Sequence, residues 1–129
     1  MQRSVISTPL GPAAIGPYSQ AIRAGDLVFV SGQIPLDPST GSLVGDLSVE
    51  SQARQCLENL SGILSAAGSS LDRAVKVTIY LTDLASFGSV NRVYGEFFGS
   101  APPARATVEV SALPMGAVVE MDCIATVEE

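Results

Sequence analysis

The segment between Ser48 and Gly68 constrains the fold most, because it combines helical periodicity with a start and a stop signal. Its apolar residues recur at helical spacing: Ala53, Cys56, Leu57, Leu60, Leu64 and Ala67. Ser48 is suited to cap the first turn, Glu50 puts a negative charge near the positive end of the helix dipole, and Gly68 suits the position after the last turn. A helix with one apolar stripe requires a second layer to pack against.

Strand patterns elsewhere in the chain provide that layer. The predicted strands are Tyr18–Arg23, Leu27–Ser31, Ala74–Leu81, Ala104–Val110 and Ala117–Val127. A second helix is predicted to begin at Asp83 or Ser86 and to end before Pro102, with a stripe of Phe87, Val90, Val93, Tyr94 and Phe97. This order predicts one α+β domain over residues 1–129, with both helices on one face of the sheet. The other face would then be free to meet other subunits.

The composition is unusually apolar for a small chain, with 47% hydrophobic and 16% charged residues. Either a membrane or a subunit interface could cover the excess apolar surface. The longest uncharged stretch, from Ser4 to Ile22, is interrupted by prolines and glycines at 9, 11, 12, 16 and 17, which excludes a membrane helix or the apolar centre of a signal peptide. We therefore expect an oligomer that is not membrane-bound, in the cytoplasm.

Several classes of chemistry are excluded by residue counts. The chain has no histidine, so it cannot build a Ser-His-Asp triad, a Cys-His pair or a histidine-ligated metal site. Cys56 and Cys123 have no metal-ligand spacing and are expected to be buried free thiols. The net charge of −6 and the scattered basic residues argue against binding to nucleic acid.

Arg105 is the first candidate for a ligand contact. It follows two prolines at the start of an apolar strand, where it shares a face with Thr107 and Glu109, while Ala106 and Val108 share the other face. Two interpretations fit the pattern: an ion pair with Glu109 or another acid, or a clamp that binds a carboxylate through both arms of the guanidinium.

Glu120 is the second candidate, because an acid in the middle of a strand needs either a partner or a task. It could pair with Arg105, or it could position a water molecule, and both could hold. Tyr18 and the pair Ser31-Gly32 lie at the ends of early strands, where they either form turns or allow a ligand to approach the backbone closely.

Three segments together closely resemble one protein family across nearly the whole chain. They are Ile15-Gly16-Pro17-Tyr18-Ser19-Gln20-Ala21, Val28-Phe29-Val30-Ser31-Gly32-Gln33, and the C-terminal set Pro103-Ala104-Arg105 with Val108, Leu113 and Val119-Glu120-Met121. This set resembles the RidA/YjgF family of reactive intermediate deaminases, also called L-PSP proteins.

The resemblance implies a chorismate-mutase-like α+β subunit, with a six-stranded mainly antiparallel or mixed sheet and two helices on one face. It also implies a homotrimer whose sheets form a central barrel, with ligand sites in clefts between subunits. By the family pattern, Arg105 would hold the ligand's carboxylate and Glu120 would act beside the reacting carbon. Tyr18, Ser31, Gly32, Phe87, Asn91 and Thr107 would line the cleft, with Gly32 and Thr107 acting through their backbones.

The sequence departs from the family pattern at two places. Many relatives carry cysteine at position 107, where this chain has Thr107, so a thiol cannot be required here. Relatives also often carry basic residues around Leu113-Pro114, whereas Ala112, Met115 and Gly116 stand here. The rim of the cleft should be less positive, which weakens the case for RNA as a ligand.

The function that the resemblance implies is hydrolysis of 2-imino and 2-enamino acids, such as 2-aminoacrylate and 2-aminocrotonate products, to 2-keto acids and ammonia. The enzyme would be a 2-iminobutanoate/2-iminopropanoate deaminase that needs no cofactor or metal. Two alternatives remain open at this point: a trimer that only binds metabolites or acts as a holdase-type chaperone, and an endoribonuclease or translation inhibitor.

Overall fold

The computed structural model describes residues 2–127 and contains six strands and two α-helices. The strands are β1 (Arg3–Ile6), β2 (Ala21–Ala24), β3 (Leu27–Gln33), β4 (Ala74–Leu81), β5 (Ala104–Glu109) and β6 (Val119–Thr126). The helices are α1 (Val49–Ala66), between β3 and β4, and α2 (Phe87–Phe97), between β4 and β5. Three short 3-10 helices cover Leu71–Arg73, Leu84–Ser86 and Pro114–Gly116.

The six strands form one mixed sheet in the order β1-β2-β3-β6-β4-β5. All neighbours are antiparallel except β4 and β5, which run parallel and are connected through α2. This confirms the α+β class and the six-stranded mixed sheet. No helix within residues 2–127 has the length and apolarity needed to cross a membrane.

Helix α1 begins and ends where its sequence predicts. The Ser48 hydroxyl accepts a hydrogen bond from the backbone N–H of Ser51, and Gly68 takes a φ of 80°, a conformation that favours glycine. Leu57, Leu60 and Leu64 are fully buried on its apolar stripe. They form one core cluster with residues of β4 and β6 that include Val77, Ile79, Met121 and Cys123.

Both helices contribute to this main core cluster, so they cover one face of the sheet, and neither helix covers the other face. The buried residues of α2 in the same cluster are Val90, Val93 and Tyr94. On the uncovered face, Phe29 and Val108 each remain 42% exposed, although both are large apolar residues. A face of this kind is typical of a surface that another subunit covers.

Some predicted boundaries are wrong. Strand β1 precedes the proline- and glycine-rich stretch and was not predicted, and β2 begins at Ala21 rather than Tyr18. Tyr18 instead lies in a tight turn, where its N–H donates to the Gly16 carbonyl at 2.8 Å. Strand β6 begins at Val119 rather than Ala117, because the Ala117 N–H still donates to the Pro114 carbonyl of the preceding turn, at 3.2 Å.

Cys56 and Cys123 are free and buried, as expected from the sequence. Burial raises the pKa of Cys123 to about 12 and raises that of Cys56 as well. Both side chains therefore stay protonated thiols and behave as small apolar core residues.

Candidate functional site

The Arg105 guanidinium lies against aromatic rings rather than against an acid. Its central carbon is 4.8 Å from the centre of the Tyr94 ring and 5.4 Å from that of Phe87, both on α2. Within residues 2–127 Arg105 makes no ion pair; Glu109 instead accepts a hydrogen bond from the Leu84 N–H at 2.8 Å. The aromatic rings hold the cation by its faces and leave its N–H groups available to a ligand.

The part of β5 that carries Arg105 and Thr107 is half-buried on the same side of the sheet as the helices. Arg105 and Thr107 lie directly beside Val77 and Ile79 of β4, which are fully buried under the helices. The pattern correctly placed Arg105 and Thr107 on the same face. It did not show that this face turns inward at the edge of the core.

Polar atoms without partners cluster near Arg105. Among residues 2–127, the buried side-chain atoms with no hydrogen-bond partner are Asn91 Oδ1, Tyr94 Oη and Thr107 Oγ1. Since nearly all buried polar groups in proteins are paired, three such atoms on α2 and β5 make this side of the sheet a candidate for binding a further hydrogen-bond partner. The pattern alone placed Asn91 on a solvent-exposed helix surface, and its buried Oδ1 corrects that view.

Two of these residues line an open cavity together with Arg105. The cavity has a volume of about 430 Å³, and its walls are Asn91, Tyr94, Gly95, Phe98, Gly99, Pro102, Pro103 and Arg105. Most of the residues that line this cavity are glycine, proline or aromatic. Arg105 is the charged residue among the lining residues that the structure describes. We call this group of residues, with Phe87 and Thr107, the arginine half-site.

Glu120 lines a different cavity, of about 440 Å³, on the uncovered face of the sheet. Its other walls are Ile15, Tyr18, Ser31, Gly32, Ile34 and Pro114. Burial raises the pKa of the Glu120 carboxyl, and the negative charge of Asp122 adds to the effect. The carboxylate is therefore a stronger base than an ordinary exposed one. We call this group the glutamate half-site.

Gly32 shapes the glutamate half-site, because the Glu120 carboxylate occupies the space that any other side chain would need. A Cβ at position 32 would collide with Oε2 of Glu120. The ladder between β3 and β6 is irregular between Val30 and Gln33, at the same point. Glycine is therefore required at position 32, because the Glu120 side chain approaches the backbone closely there. The sequence had left open whether Gly32 forms a turn or allows a ligand to approach the backbone.

Substitution Gly32→Ala is expected to displace the Glu120 carboxylate while the chain remains folded, because the colliding atom is the end of a flexible side chain. If Glu120 acts on a substrate, we expect turnover to fall about tenfold or more, since a displaced carboxylate loses the benefit of orientation. Gly45→Ala is the matched control, because a Cβ there meets nothing within 4 Å. Equal activity of both variants would contradict a role for the carboxylate in this position.

Buried amide side chains fix the loops around the glutamate half-site. Gln20 is 6% exposed; its Nε2 donates to the carbonyls of Thr8, Gly11 and Pro12, and its Oε1 accepts from the Thr8 N–H. Asn59 of α1 is fully buried and donates to the carbonyls of Ile34 and Leu36. Neither residue was predicted to position these loops, although an amide among apolar residues was a detectable signal in each case.

The two half-sites lie on opposite faces of the same sheet. Glu120 lies directly beside Tyr80 of β4, and Arg105 lies directly beside Val77 of the same strand. Val77 and Tyr80 are three residues apart, so their side chains point to opposite faces of the sheet, and so do those of Arg105 and Glu120. The predicted site residues thus divide into two groups. Arg105, Phe87, Asn91 and Thr107 lie together, and Glu120, Tyr18, Ser31 and Gly32 lie together on the other face.

Comparison with known proteins places these residues in a defined family. Residues 8–127 match the family model described as Endoribonuclease L-PSP. The chain is 56% identical over 119 residues to a RutC family protein of Sinorhizobium fredii, covering 92% of this chain and 94% of that protein. It is 50% identical over 123 residues to the Mus musculus protein named 2-iminobutanoate/2-iminopropanoate deaminase, covering 95% and 90%. The crystal structure of E. coli TdcF with bound serine has a TM-score of 0.90 and 41% identity, covering 97% of this chain and 99% of that one.

Proposed function

We propose that this chain, which belongs to the RidA/YjgF (L-PSP) family, hydrolyses reactive 2-imino and 2-enamino acids to 2-keto acids and ammonia. The observation that carries the proposal is the arginine half-site. A guanidinium without an ion pair among residues 2–127, beside unpartnered polar atoms, suits a small ligand with a carboxylate and a nearby nitrogen.

A complete site requires the two half-sites to come from different copies of the chain. A substrate as small as 2-iminobutanoate cannot reach both faces of the sheet of one subunit, so Arg105 of one copy would meet Glu120 of another. The uncovered sheet face and its exposed Phe29 and Val108 supply an apolar surface for such contacts. A homotrimer with sites between subunits, as in the family pattern, satisfies this requirement.

The proposed reaction adds water across the C=N bond. Arg105 holds the carboxylate, with each charged hydrogen bond worth about 1.5–3 kcal/mol. Glu120 takes a proton from a water molecule whose oxygen attacks C2 and passes it to the nitrogen, which gives an intermediate with a hydroxyl and an NH2 group on C2. Glu120 then moves the hydroxyl proton to the NH2 group, the C–N bond breaks as the C2 carbonyl forms, and ammonia leaves. The backbones near Gly32 and Thr107 orient the substrate, and an enamine enters the reaction after protonation at C3.

A coupled assay tests this proposal directly. A threonine dehydratase generates the imine in place, and the release of 2-oxobutyrate is followed with and without the protein. Acceleration that grows with the concentration of the protein is the expected result. The uncatalysed rate, measured with the dehydratase alone, is subtracted, and no acceleration at any concentration rejects the proposed reaction.

The pH dependence of the reaction should report the pKa of Glu120. As pH falls through this raised pKa, the carboxylate becomes protonated and cannot accept a proton from water, so kcat/KM should decrease. Asp122→Asn removes the neighbouring negative charge, which lowers the pKa of Glu120 and moves the decrease to lower pH. The Tyr80 hydroxyl, which donates to Asp122 Oδ2 at 3.0 Å, can still donate to the asparagine oxygen.

Stopped-flow rates corrected for the uncatalysed reaction at each pH give this profile. A decrease at the same pH in the wild type and in Asp122→Asn would assign the titration to a group other than Glu120.

One observation favours a second function, binding of a metabolite without turnover. The related E. coli protein was crystallised with serine, an amino acid with a carboxylate and a nitrogen but no C=N bond. In that case 2-keto or amino acids bind at the arginine half-site, and the coupled assay shows no acceleration. The family description as an endoribonuclease finds less support, since the net charge is −6 and the chain has no histidine.

A further inference from the structure

The hydroxyl group of Tyr94 is not explained by the packing of its ring. Tyr94 is 6% exposed; its ring stacks on Phe98 with centres 4.4 Å apart and lies 4.8 Å from the Arg105 guanidinium carbon. A phenylalanine would make the same ring contacts. Yet the position carries a hydroxyl that is buried and has no partner within residues 2–127, which is unfavourable for folding.

Asn91, one helical turn before Tyr94, carries a second buried side-chain atom without a partner among residues 2–127, and both residues line the cavity with Arg105. Asn91 Oδ1 can only accept a hydrogen bond, whereas the Tyr94 hydroxyl can donate one. Burial raises the pKa of Tyr94, although the charge of Arg105 opposes this effect. The hydroxyl therefore keeps its proton at neutral pH and remains a donor.

We propose that the Tyr94 hydroxyl binds the substrate by donating a hydrogen bond to the heteroatom on C2, while Asn91 Oδ1 accepts the N–H of an imine. A 2-imino nitrogen offers one lone pair and one N–H, which match this donor and this acceptor. The carboxylate on the neighbouring carbon reaches Arg105 in the same cavity. The inference rests on the proposed function, and it assigns Tyr94 to recognition of the C=N or C=O group.

A matched pair of ligands separates this contact from the carboxylate contact. Butyrate and 2-oxobutyrate have the same chain and carboxylate, but only the second has an acceptor on C2. Calorimetric titration of the intact oligomer should show tighter binding of 2-oxobutyrate. In Tyr94→Phe most of that preference should disappear, with about a tenfold loss for 2-oxobutyrate and almost no change for butyrate.

Stability measurements test whether the Tyr94 hydroxyl has a purely structural role. Because the hydroxyl has no partner within residues 2–127, Tyr94→Phe should unfold at the same or a higher urea concentration than the wild type. Tyr80→Phe is the control, since it removes the hydrogen bond to Asp122 and should unfold at a lower urea concentration. A clear loss of stability in Tyr94→Phe would mean that the hydroxyl has a structural partner and would overturn the inference.

Three binding results would also overturn it. The first is a wild type that binds 2-oxobutyrate no more tightly than butyrate. The second is a Tyr94→Phe variant that keeps the full preference for 2-oxobutyrate. The third is an equal loss of affinity for both ligands in Tyr94→Phe, which would mean that Tyr94 acts only through Arg105. The coupled dehydratase assay reports separately on the proposed reaction. If the wild type shows the preference and Tyr94→Phe loses it, but imines are not hydrolysed, then the binding contact stands and the deaminase function fails.

Discussion

Arg105→Ala should abolish imine hydrolysis and the binding of small carboxylates, while the oligomer remains folded. Loss of two charged hydrogen bonds corresponds to about a hundredfold or greater loss of affinity. The fold should survive because Arg105 makes no ion pair within residues 2–127 and lies at the start of an edge strand. Titration with 2-oxobutyrate measures binding, and the coupled dehydratase assay measures turnover.

Arg105→Lys sharpens this test, because it keeps the charge but loses the planar fork. An ammonium is a point charge that cannot form the same two parallel hydrogen bonds, and it stacks less well between Phe87 and Tyr94. We expect the lysine variant to fail almost as badly as the alanine variant. Normal binding by the lysine variant would show that only a positive charge is needed. Normal turnover by both variants would place the site elsewhere.

Mixing two inactive variants should restore activity. Arg105→Ala damages the arginine half-site, and Glu120→Gln damages the glutamate half-site by removing a base, which typically costs about a hundredfold or more in rate. Because the half-sites lie on opposite faces of one sheet, each complete site would join two copies. In randomly mixed oligomers, about a quarter of the sites would combine an intact Arg105 with an intact Glu120.

The measurement requires proof that subunits have exchanged, which native mass spectrometry provides from the masses of the mixed oligomers. About a quarter of the wild-type activity should then appear. Mixing Arg105→Ala with Arg105→Lys is the control, and it should restore nothing, because every arginine half-site remains damaged. Mixed oligomers of the first pair without activity would contradict a site shared between subunits.

Local sequence was sufficient for the parts of the fold that depend on near neighbours. Helix α1 has its cap at Ser48 and its glycine stop at Gly68, and strand β4 has the predicted bounds, because periodicity and termini are encoded within a few residues. Strand β1 was not predicted. Its four residues, Arg3–Ile6, have no distinctive alternation, and they become a strand by pairing with β2 about twenty residues later.

The sequence by itself also identified the chemical groups of the candidate site, since an arginine after two prolines and a glutamate in an apolar strand are unusual in their settings. Only the tertiary structure decided how they are arranged. Pairing with β4 places Arg105 beside Val77 and Glu120 beside Tyr80, on opposite faces of the sheet. The packing of α2 then buries Tyr94 Oη and Asn91 Oδ1 without a partner among residues 2–127, on two residues that line one cavity with Arg105. These relations join residues distant in the chain, so no local pattern contains them.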